Sequence, residues 1–324
     1  MELFIIIVQL VAGLGVLTLG ADWLVRGSSN FALSIGIKPL IIGLTLVAFG
    51  TSAPELTVSV KGALDGNSGI AVGNVIGSNI ANIGLILGLC AIIRPVDVSK
   101  ELFRRDIPMM LVASVALGLL PFVGGPSPLG ESVGFEFSRW KALVLLGLFL
   151  ISLWLTFRNA GSSETPLDDV AQKISRTKNL LLALVGLGAL IGGGYFFVEG
   201  AVSLAERLGI PQLVIGLTIV AVGTSLPEFA TSIIAAIRGQ SDISVGNVVG
   251  SNIFNILFVL GLSAAISPVM IEPKTLQMDI PVMLLMALLL PALAWRSRKL
   301  GRLGGAMLLA AYVLYSCNLF FNWV

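Results

Sequence analysis

The 324-residue chain contains no histidine, only two cysteines and few charged side chains. Without histidine it has no His-ligated metal site and no Ser-His-Asp catalysis. Cys90 and Cys317 lie far apart in apolar stretches, and their spacing supports neither a disulfide framework nor a metal site. No Gly-rich phosphate-binding motif occurs, and the net charge of +2 comes without a basic patch suited to nucleic acid. We therefore predict no enzyme, no cofactor and no nucleic-acid partner.

Apolar residues make up 56% of the chain and give it a mean hydropathy of +0.97, which is not typical of soluble domains. Runs of about 20 apolar residues are long enough to cross a bilayer. They predict an all-α integral membrane protein with ten transmembrane helices, at about residues 3–25, 39–64, 70–93, 107–122, 140–157, 179–207, 212–237, 242–266, 278–295 and 303–323. The first run lacks the basic residues of a signal peptide, so we expect it to be retained.

One stretch of the chain occurs twice. Residues 43–96 and 216–269 align without a gap, and about 32 of the 54 positions are identical, which indicates an internal duplication. The duplication predicts two five-helix repeats, residues 1–157 and 179–324. A polar segment at residues 158–178 joins them and is predicted to be a cytoplasmic linker.

The distribution of lysine and arginine predicts the orientation in the membrane. With the N-terminus outside, 15 of these residues lie at inner helix ends and five lie outside, so the positive-inside rule places both termini outside. Because each repeat has five helices, the second repeat enters the membrane from the opposite side. Inverted repeats of this kind are typical of secondary transporters with a site at the midplane. The expected location is the plasma (inner) membrane of a prokaryote.

The predicted connections between helices are short. The sequence GSSN after Arg26, followed by Ile35–Pro39, is expected to form a turn after helix 1. Asp22 and Arg26 are spaced as an i, i+4 ion pair at the end of that helix. The Gly- and Pro-rich segment 123–138 is predicted to be a loop.

Glu55 and Glu228 lie within predicted spans, where a charged side chain costs about 2.5–3.5 kcal/mol unless it faces a cavity or a partner. Inverted symmetry brings the two carboxylates towards each other, and two close carboxylates need cations or protons between them. Pro54 and its repeat Pro227 interrupt helices 2 and 7 and free main-chain carbonyls there. Carboxylate, hydroxyl and carbonyl oxygens suit hard cations such as calcium and sodium.

Hydroxyl and amide side chains accompany each glutamate at helical spacing. The residues that share a face or flank it are Thr51, Ser52, Ser78 and Asn82 in the first repeat and Thr224, Ser225, Ser251 and Asn255 in the second. Small residues such as Gly73 and Gly77 are more typical of helix packing than of a site. Four further asparagines are interpreted as interhelical hydrogen-bond partners or supports of the site: Asn74, Asn79, Asn247 and Asn252.

The repeated motifs GTSAPE…GNVIGSNIANI and GTSLPE…GNVVGSNIFNI resemble those of the calcium:cation antiporter superfamily, and most closely the ten-helix prokaryotic sodium/calcium exchangers. The resemblance implies that Glu55 and Glu228 are the main calcium ligands, with main-chain oxygens of Thr51 and Thr224. It further implies that flanking sodium sites use Ser52, Ser225, Ser78, Ser251 and the main-chain oxygens of Ala48 and Ala221, while Asn82 and Asn255 line the centre.

The resemblance also implies a mechanism, which is sodium/calcium exchange by alternating access. Some prokaryotic exchangers and the potassium-dependent branch have Asp where this chain has Asn255, so potassium-independent exchange is favoured. In the family, helices 1 and 6 slide as a gating pair across the rigid core of the other eight helices. Their glycines fit a close sliding contact: Gly13, Gly15, Gly20, Gly186, Gly188 and Gly192–Gly194.

The sequence leaves two alternative functions open. A proton/calcium or other divalent-cation exchanger would use the same glutamates, because carboxylates bind protons whatever surrounds them. A cation channel is a remote alternative, since channels are usually assembled from several subunits around an axis. For an exchanger, one chain is expected to suffice for transport, its partners being calcium, sodium and the lipid bilayer, with the oligomeric state undetermined.

Overall fold

A computed structural model describes residues 2–125, 127–129, 132–158, 175–208 and 221–321. The helices are α1 Glu2–Ser34, α2 Pro39–Thr51, α3 Ala53–Leu64, α4 Ser68–Ile93, α5 Leu102–Phe122, α6 Arg139–Arg158, α7 Arg176–Arg207, α8 Ala221–Thr224, α9 Leu226–Ile237, α10 Ser241–Ile266, α11 Thr275–Ala294 and α12 Arg302–Phe321. The strands are β1 Val96–Asp97, β2 Ser127–Leu129, β3 Ser132–Phe137, β4 Val269–Ile271 and β5 Lys299–Leu300. Most of the predicted linker 158–178 and the first part of predicted helix 7 lie outside the described residues.

Many of these helices have the dimensions of membrane spans. Among the described residues, seven helices are long and apolar enough to cross a membrane, and the broken pair α2 and α3 would make an eighth. The prediction of an all-α membrane protein is confirmed at this level. The count of ten helices and the inverted arrangement of the repeats stay predictions.

The described chain forms two compact units. Unit A comprises Met1–Pro54 and Ala160–Asn247, and unit B comprises Glu55–Asn159 and Val248–Val324. Each unit draws on both halves of the sequence. The predicted repeat boundaries rest on the sequence duplication alone, and they remain a prediction.

Unit A is built on a close contact between α1 and α7. A Cβ atom added at Gly20 would lie 2.4 Å from Leu190 N, and one at Gly186 would lie 2.4 Å from Leu24 N. Gly13, Gly27, Gly193 and Gly200 make comparable backbone or near-backbone contacts. Buried side chains such as Leu17, Leu24 and Leu190 fill the spaces between these positions. Of the glycines named from the sequence, Gly13, Gly20, Gly186 and Gly193 lie at this contact, whereas Gly15, Gly188 and Gly192 face open space. The sliding of the two helices stays a prediction.

Helix α1 is longer than its sequence predicted. It was expected to end near Val25, yet it continues to Ser34, and the GSSN stretch is helical. Tertiary contact explains the difference, because Gly27 packs on the backbone of Ala183 and Asn30 Nδ2 donates to Asn179 Oδ1 at 3.4 Å. The helix then closes at Gly36, whose φ of 76° suits only glycine without strain, as in common glycine-terminated helices.

Unit B consists of helix pairs and two small sheets. Gly88 of α4 and Gly305 of α12 bring those two helices into backbone contact, α5 packs on α11, and α6 packs on the end of α10 near Gly261. Strand β1 pairs antiparallel with β5, and β3 lies between β2 and β4. The predicted loop at 123–138 thus contains two strands. Phe135 and Phe137 alternate there with smaller or polar residues, and this alternation is typical of a strand.

The predicted breaks in helices 2 and 7 are confirmed. Ser52 separates α2 from α3 with ψ of 10°, and Ser225 separates α8 from α9 with ψ of 6°. Pro54 and Pro227 each occupy the second position of the following helix, where the missing N–H breaks no helical hydrogen bond. The sequence duplication therefore produces the same local break twice.

Short π-helical turns also recur at matching positions of the duplication. Asn82–Leu87 matches Asn255–Leu260, and Leu102–Asp106 matches Thr275–Asp279. A further turn spans Gly43–Val47, whose matching residues lie outside the described part of the chain. Single π turns within α-helices are frequent at functional sites. Two of them begin at Asn82 and Asn255, the residues predicted to line the centre of the ion site.

Candidate ion-binding site

In unit A, the carboxylate of Glu228 lies completely buried in the first turn of α9. Ser52 Oγ donates a hydrogen bond of 2.7 Å to Glu228 Oε1. Ser52 lies at the break between α2 and α3. A hydroxyl of the first sequence repeat thus contacts the carboxylate of the second.

Asn247 holds this arrangement in place from α10. Its Nδ2 group donates to the main-chain oxygen of Glu228 at 3.3 Å and to Ser232 Oγ at 2.9 Å. Its Oδ1 accepts from Thr51 Oγ1 at 3.2 Å. The interpretation of Asn247 as an interhelical hydrogen-bond partner is confirmed, because one side chain ties together the two motifs within this unit.

The main-chain oxygen of Ala48 is already engaged in this structure. Ser52 N donates to it at 3.0 Å, and Thr51 Oγ1 approaches it at 3.4 Å. A carbonyl oxygen has two lone pairs, so the bond from Ser52 N leaves one of them for the Thr51 hydroxyl or for a cation. On the matching side, Ala221–Thr224 is helical, and Ser225 is 7% exposed at the break.

In unit B, Glu55 is surrounded in a parallel manner. Its side chain is completely buried, and Ser78 Oγ lies 3.5 Å from Glu55 Oε1. Asn74 Nδ2 donates to the main-chain oxygen of Glu55 at 3.1 Å and to Ser59 Oγ at 2.9 Å. Asn74 therefore binds the backbone of Glu55 as Asn247 binds that of Glu228, and its interpretation as an interhelical hydrogen-bond partner is also confirmed.

Four asparagines of unit B form a reciprocal network between α4 and α10. Asn82 Nδ2 donates to Asn252 Oδ1 at 2.9 Å, and Asn255 Nδ2 donates to Asn79 Oδ1 at 3.3 Å. Asn79 and Asn252 in turn donate to each other's main-chain oxygens at 3.3 Å. Asn79 and Asn252 are thus interhelical hydrogen-bond partners, as interpreted from the sequence, and they fix which way the other two amides point.

The orientation of Asn82 and Asn255 leaves two oxygen atoms for a ligand. Within the described part of the chain, Oδ1 of each residue is buried without a hydrogen-bond partner. A buried acceptor without a partner costs about 1–3 kcal/mol, which a bound cation or water offsets. Ser251, the remaining predicted ligand, is completely buried on the same helix as Asn255.

Sequence reasoning missed the serines that complete each support. Ser59 and Ser232 accept from Asn74 and Asn247, and each follows its glutamate by four residues. This shared spacing was a signal, since it places glutamate and serine on one helical face in both repeats. Ser244, whose Oγ donates to the main-chain oxygen of Ser232 at 3.0 Å, has alanine at the matching position and carried no such signal.

Each unit therefore presents one buried carboxylate among hydroxyl, amide and carbonyl oxygens. Such donor sets bind hard cations, and a buried carboxylate within an apolar protein needs a counter-charge or a proton. Together with the membrane-length helices, these features define a membrane transporter of hard cations.

The chain belongs to the sodium/calcium exchanger protein family, whose model matches residues 5–158 and 178–321. It is 39% identical to the inner membrane protein YrbG of Escherichia coli (strain K12), over 96% of this chain and 95% of that protein. It is 33% identical to the sodium/calcium exchanger MaX1 of Methanosarcina acetivorans, over 96% and 97%. The structure of the sodium-calcium exchanger NCX_Mj soaked with Na⁺ and Sr²⁺ matches with a TM-score of 0.83 and 34% identity, over 97% of this chain and 98% of that one.

A more distant relative has a different name. The Ca²⁺/H⁺ antiporter ChaA of Bacillus subtilis is 26% identical over 91% of this chain and 87% of that protein. The predicted membership of the calcium:cation antiporters is confirmed, and the chain is an integral membrane protein of that antiporter family.

Asn247→Ala is expected to destabilise the protein by roughly 2 kcal/mol or more, because it removes three hydrogen bonds from a buried position. Calcium affinity is expected to fall about tenfold, since Thr51 and Glu228 lose their shared support. Thermal unfolding of the purified protein with and without calcium measures both effects.

The matched control is Asn67→Ala. Asn67 accepts one hydrogen bond from Ile70 N at the start of α4, so its loss should cost about 1 kcal/mol of stability and leave calcium affinity unchanged. Equal calcium stabilisation of the Asn247 variant and wild type would contradict the supporting role.

Proposed function

We propose that the chain is a secondary active antiporter that exchanges sodium for calcium across the membrane by alternating access. The observation that carries this proposal is the buried carboxylate–hydroxyl pair found in each unit, Ser52 with Glu228 and Ser78 with Glu55. Calcium and sodium compete for such carboxylates, so one ion leaves before the other binds. The family membership and the names of MaX1 and NCX_Mj support the same reading.

The proposed ligand set follows the sequence duplication. Glu55 and Glu228 are the main calcium ligands, assisted by the main-chain oxygens of Thr51 and Thr224. The flanking sodium ligands are Ser52, Ser225, Ser78, Ser251 and the main-chain oxygens of Ala48 and Ala221. Asn82 and Asn255 contribute amide oxygens, a role that is supported by their buried Oδ1 atoms.

The proposed architecture is ten helices in two inverted repeats, residues 1–157 and 179–324, with a cytoplasmic linker at 158–178. Under this proposal, both termini lie on the outer side of an inner membrane. The bias of lysine and arginine towards one side of the helices supports this orientation, and the name of the relative YrbG supports the location.

A proton/calcium exchanger is the second candidate. The site contains only two glutamates among its proposed ligands, and a buried carboxylate readily takes up a proton when a cation leaves. The similarity to ChaA supports this alternative. The hydroxyl groups that contact both carboxylates favour sodium, because hydroxyl oxygens are ligands for sodium and are not needed to bind a proton.

The deciding experiment is radioactive calcium uptake into proteoliposomes loaded with sodium and diluted into sodium-free buffer. Uptake that requires internal sodium and is insensitive to an imposed pH gradient is expected for sodium/calcium exchange. Uptake driven by a pH gradient without sodium would replace the proposal by the proton-coupled alternative. Unit conductance in a planar bilayer would instead indicate a channel.

A further inference from the structure

A cavity of about 270 Å³ lies in unit B, apart from the residues assigned to ion binding. It borders the N-terminal end of α6, and its lining includes Gly124, Gly125, Glu136, Ser138 and Lys141. Gly124 and Gly125 adopt φ values of 97° and 80°, and no atom lies within 4 Å of a Cβ added at either. The chain therefore turns sharply here and leaves space open beside its backbone.

The cavity contains a buried positive charge. Lys141 is only 4% exposed, and its Nζ donates to the main-chain oxygens of Glu136 at 2.6 Å and Pro121 at 3.2 Å. An ammonium group has three N–H donors, so one remains for a further acceptor. Burying a lysine is costly, which argues that its charge has a use in this position.

Ser138 adds a second group for an acceptor ligand. Its main-chain oxygen accepts from Ala142 N at 3.1 Å, so it occupies the N-cap position of the 20-residue helix α6. Its Oγ is buried and has no hydrogen-bond partner among the residues that the structure describes. The first N–H groups of a helix carry partial positive charge and bind phosphate groups. Lysine, serine and helix terminus thus lie at the same cavity, and each of them supplies a donor for an anion.

The remaining lining residues indicate where this anion comes from. Trp140 is 49% exposed beside the cavity, at the start of a membrane-length helix, where tryptophan typically lies at the level of lipid headgroups. Glu136 also lines the cavity and supplies a negative charge close to Lys141. A ligand that carries both a phosphate and an ammonium group matches both signs.

We propose that this cavity binds the headgroup of a zwitterionic phospholipid with a primary ammonium group, of the phosphatidylethanolamine type. The phosphate accepts from Lys141, Ser138 and the start of α6, and the ammonium donates to Glu136. This site is independent of the ion-exchange reaction, so its test stands whichever ions the protein transports.

The test uses delipidated full-length protein in detergent, titrated with phosphatidylethanolamine, phosphatidylglycerol, phosphatidylcholine or inorganic phosphate. Binding is followed by native mass spectrometry and by thermal unfolding. Phosphatidylethanolamine is expected to bind most tightly. Ser138→Ala should weaken it about tenfold, because it removes a hydrogen bond to a charged group. Ser152→Ala, a second serine of α6 that does not line the cavity, should leave binding unchanged.

Glu136→Gln separates a headgroup site from a general anion site. It is expected to abolish the preference for phosphatidylethanolamine over phosphatidylglycerol while leaving binding of either lipid intact. Lys141→Gln should remove binding of both, and if it fails to fold because two carbonyls lose their donor, Ser138→Ala carries the test. Equal binding of all three lipids, unchanged binding in Ser138→Ala, or competition by inorganic phosphate at the same concentration would each overturn the proposal.

Discussion

Sodium-driven calcium uptake is expected to fall at least about 100-fold in Glu228→Gln and in Glu55→Gln. Glutamine keeps the size of the side chain and one oxygen that accepts from Ser52 or Ser78, so the packing around each completely buried residue is preserved. What the substitution removes is the charge that balances a cation. Losing a charged partner at a buried position costs about 3 kcal/mol or more, which corresponds to the expected loss of uptake.

The measurement is initial calcium uptake into sodium-loaded proteoliposomes, normalised to the amount of reconstituted protein. Glu199→Gln is the matched control, because Glu199 is an exposed carboxylate of α7 outside the proposed ligand set, and its variant should transport like wild type. Uptake within about threefold of wild type in either buried variant would exclude that glutamate as a principal ligand.

Replacing Gly20 or Gly186 by valine is expected to destabilise the protein by about 3 kcal/mol or more and to remove most of its correctly folded fraction. The new Cβ would lie 2.4 Å from a backbone nitrogen of the facing helix at either position. A backbone atom cannot rotate away as a side chain does, so α1 and α7 would have to separate along their length.

Gly15→Val and Gly188→Val are controls on the same two helices. No atom lies within 4 Å of a Cβ at either position, so these variants should fold and transport like wild type. Size-exclusion profiles in detergent and thermal unfolding distinguish the two pairs. Valine tolerated at Gly20 would show that the two helices do not need their close approach.

Features set by local chemistry were predicted well. The breaks at Ser52 and Ser225 follow from proline two residues later, and the duplication made that inference twice. Asn74 and Asn247 were interpreted as supports because an amide in an apolar helix needs partners, and both have them. The burial of Glu55 and Glu228 followed from their place in membrane-length apolar stretches.

Features that depend on tertiary partners were not predicted. The sequence grouped Ser52 with the carboxylate of its own motif, whereas its hydroxyl contacts Glu228 of the other repeat. No local pattern carries that choice of partner, because the two motifs are nearly identical. The extension of α1 to Ser34 likewise depends on the backbone of Ala183, without which GSSN has the composition of a turn.

The glycine contacts between α1 and α7 have a regular spacing that bears on how the two helices find their register. Gly13, Gly20 and Gly27 face Phe197, Leu190 and Ala183, so successive glycine contacts are seven residues apart on both helices. If one helix shifted by seven residues, about 10.5 Å along the axis, two of these three glycine positions would again face each other's partners.

The glycine contacts set how closely the helices approach, but they do not distinguish these two registers. Unique contacts at one end must do so: Asn30 with Asn179 at 3.4 Å, and Arg176 Nε with the main-chain oxygen of Ser34 at 2.9 Å. During assembly, these contacts at the helix ends thus favour the observed register over a register that is shifted by seven residues.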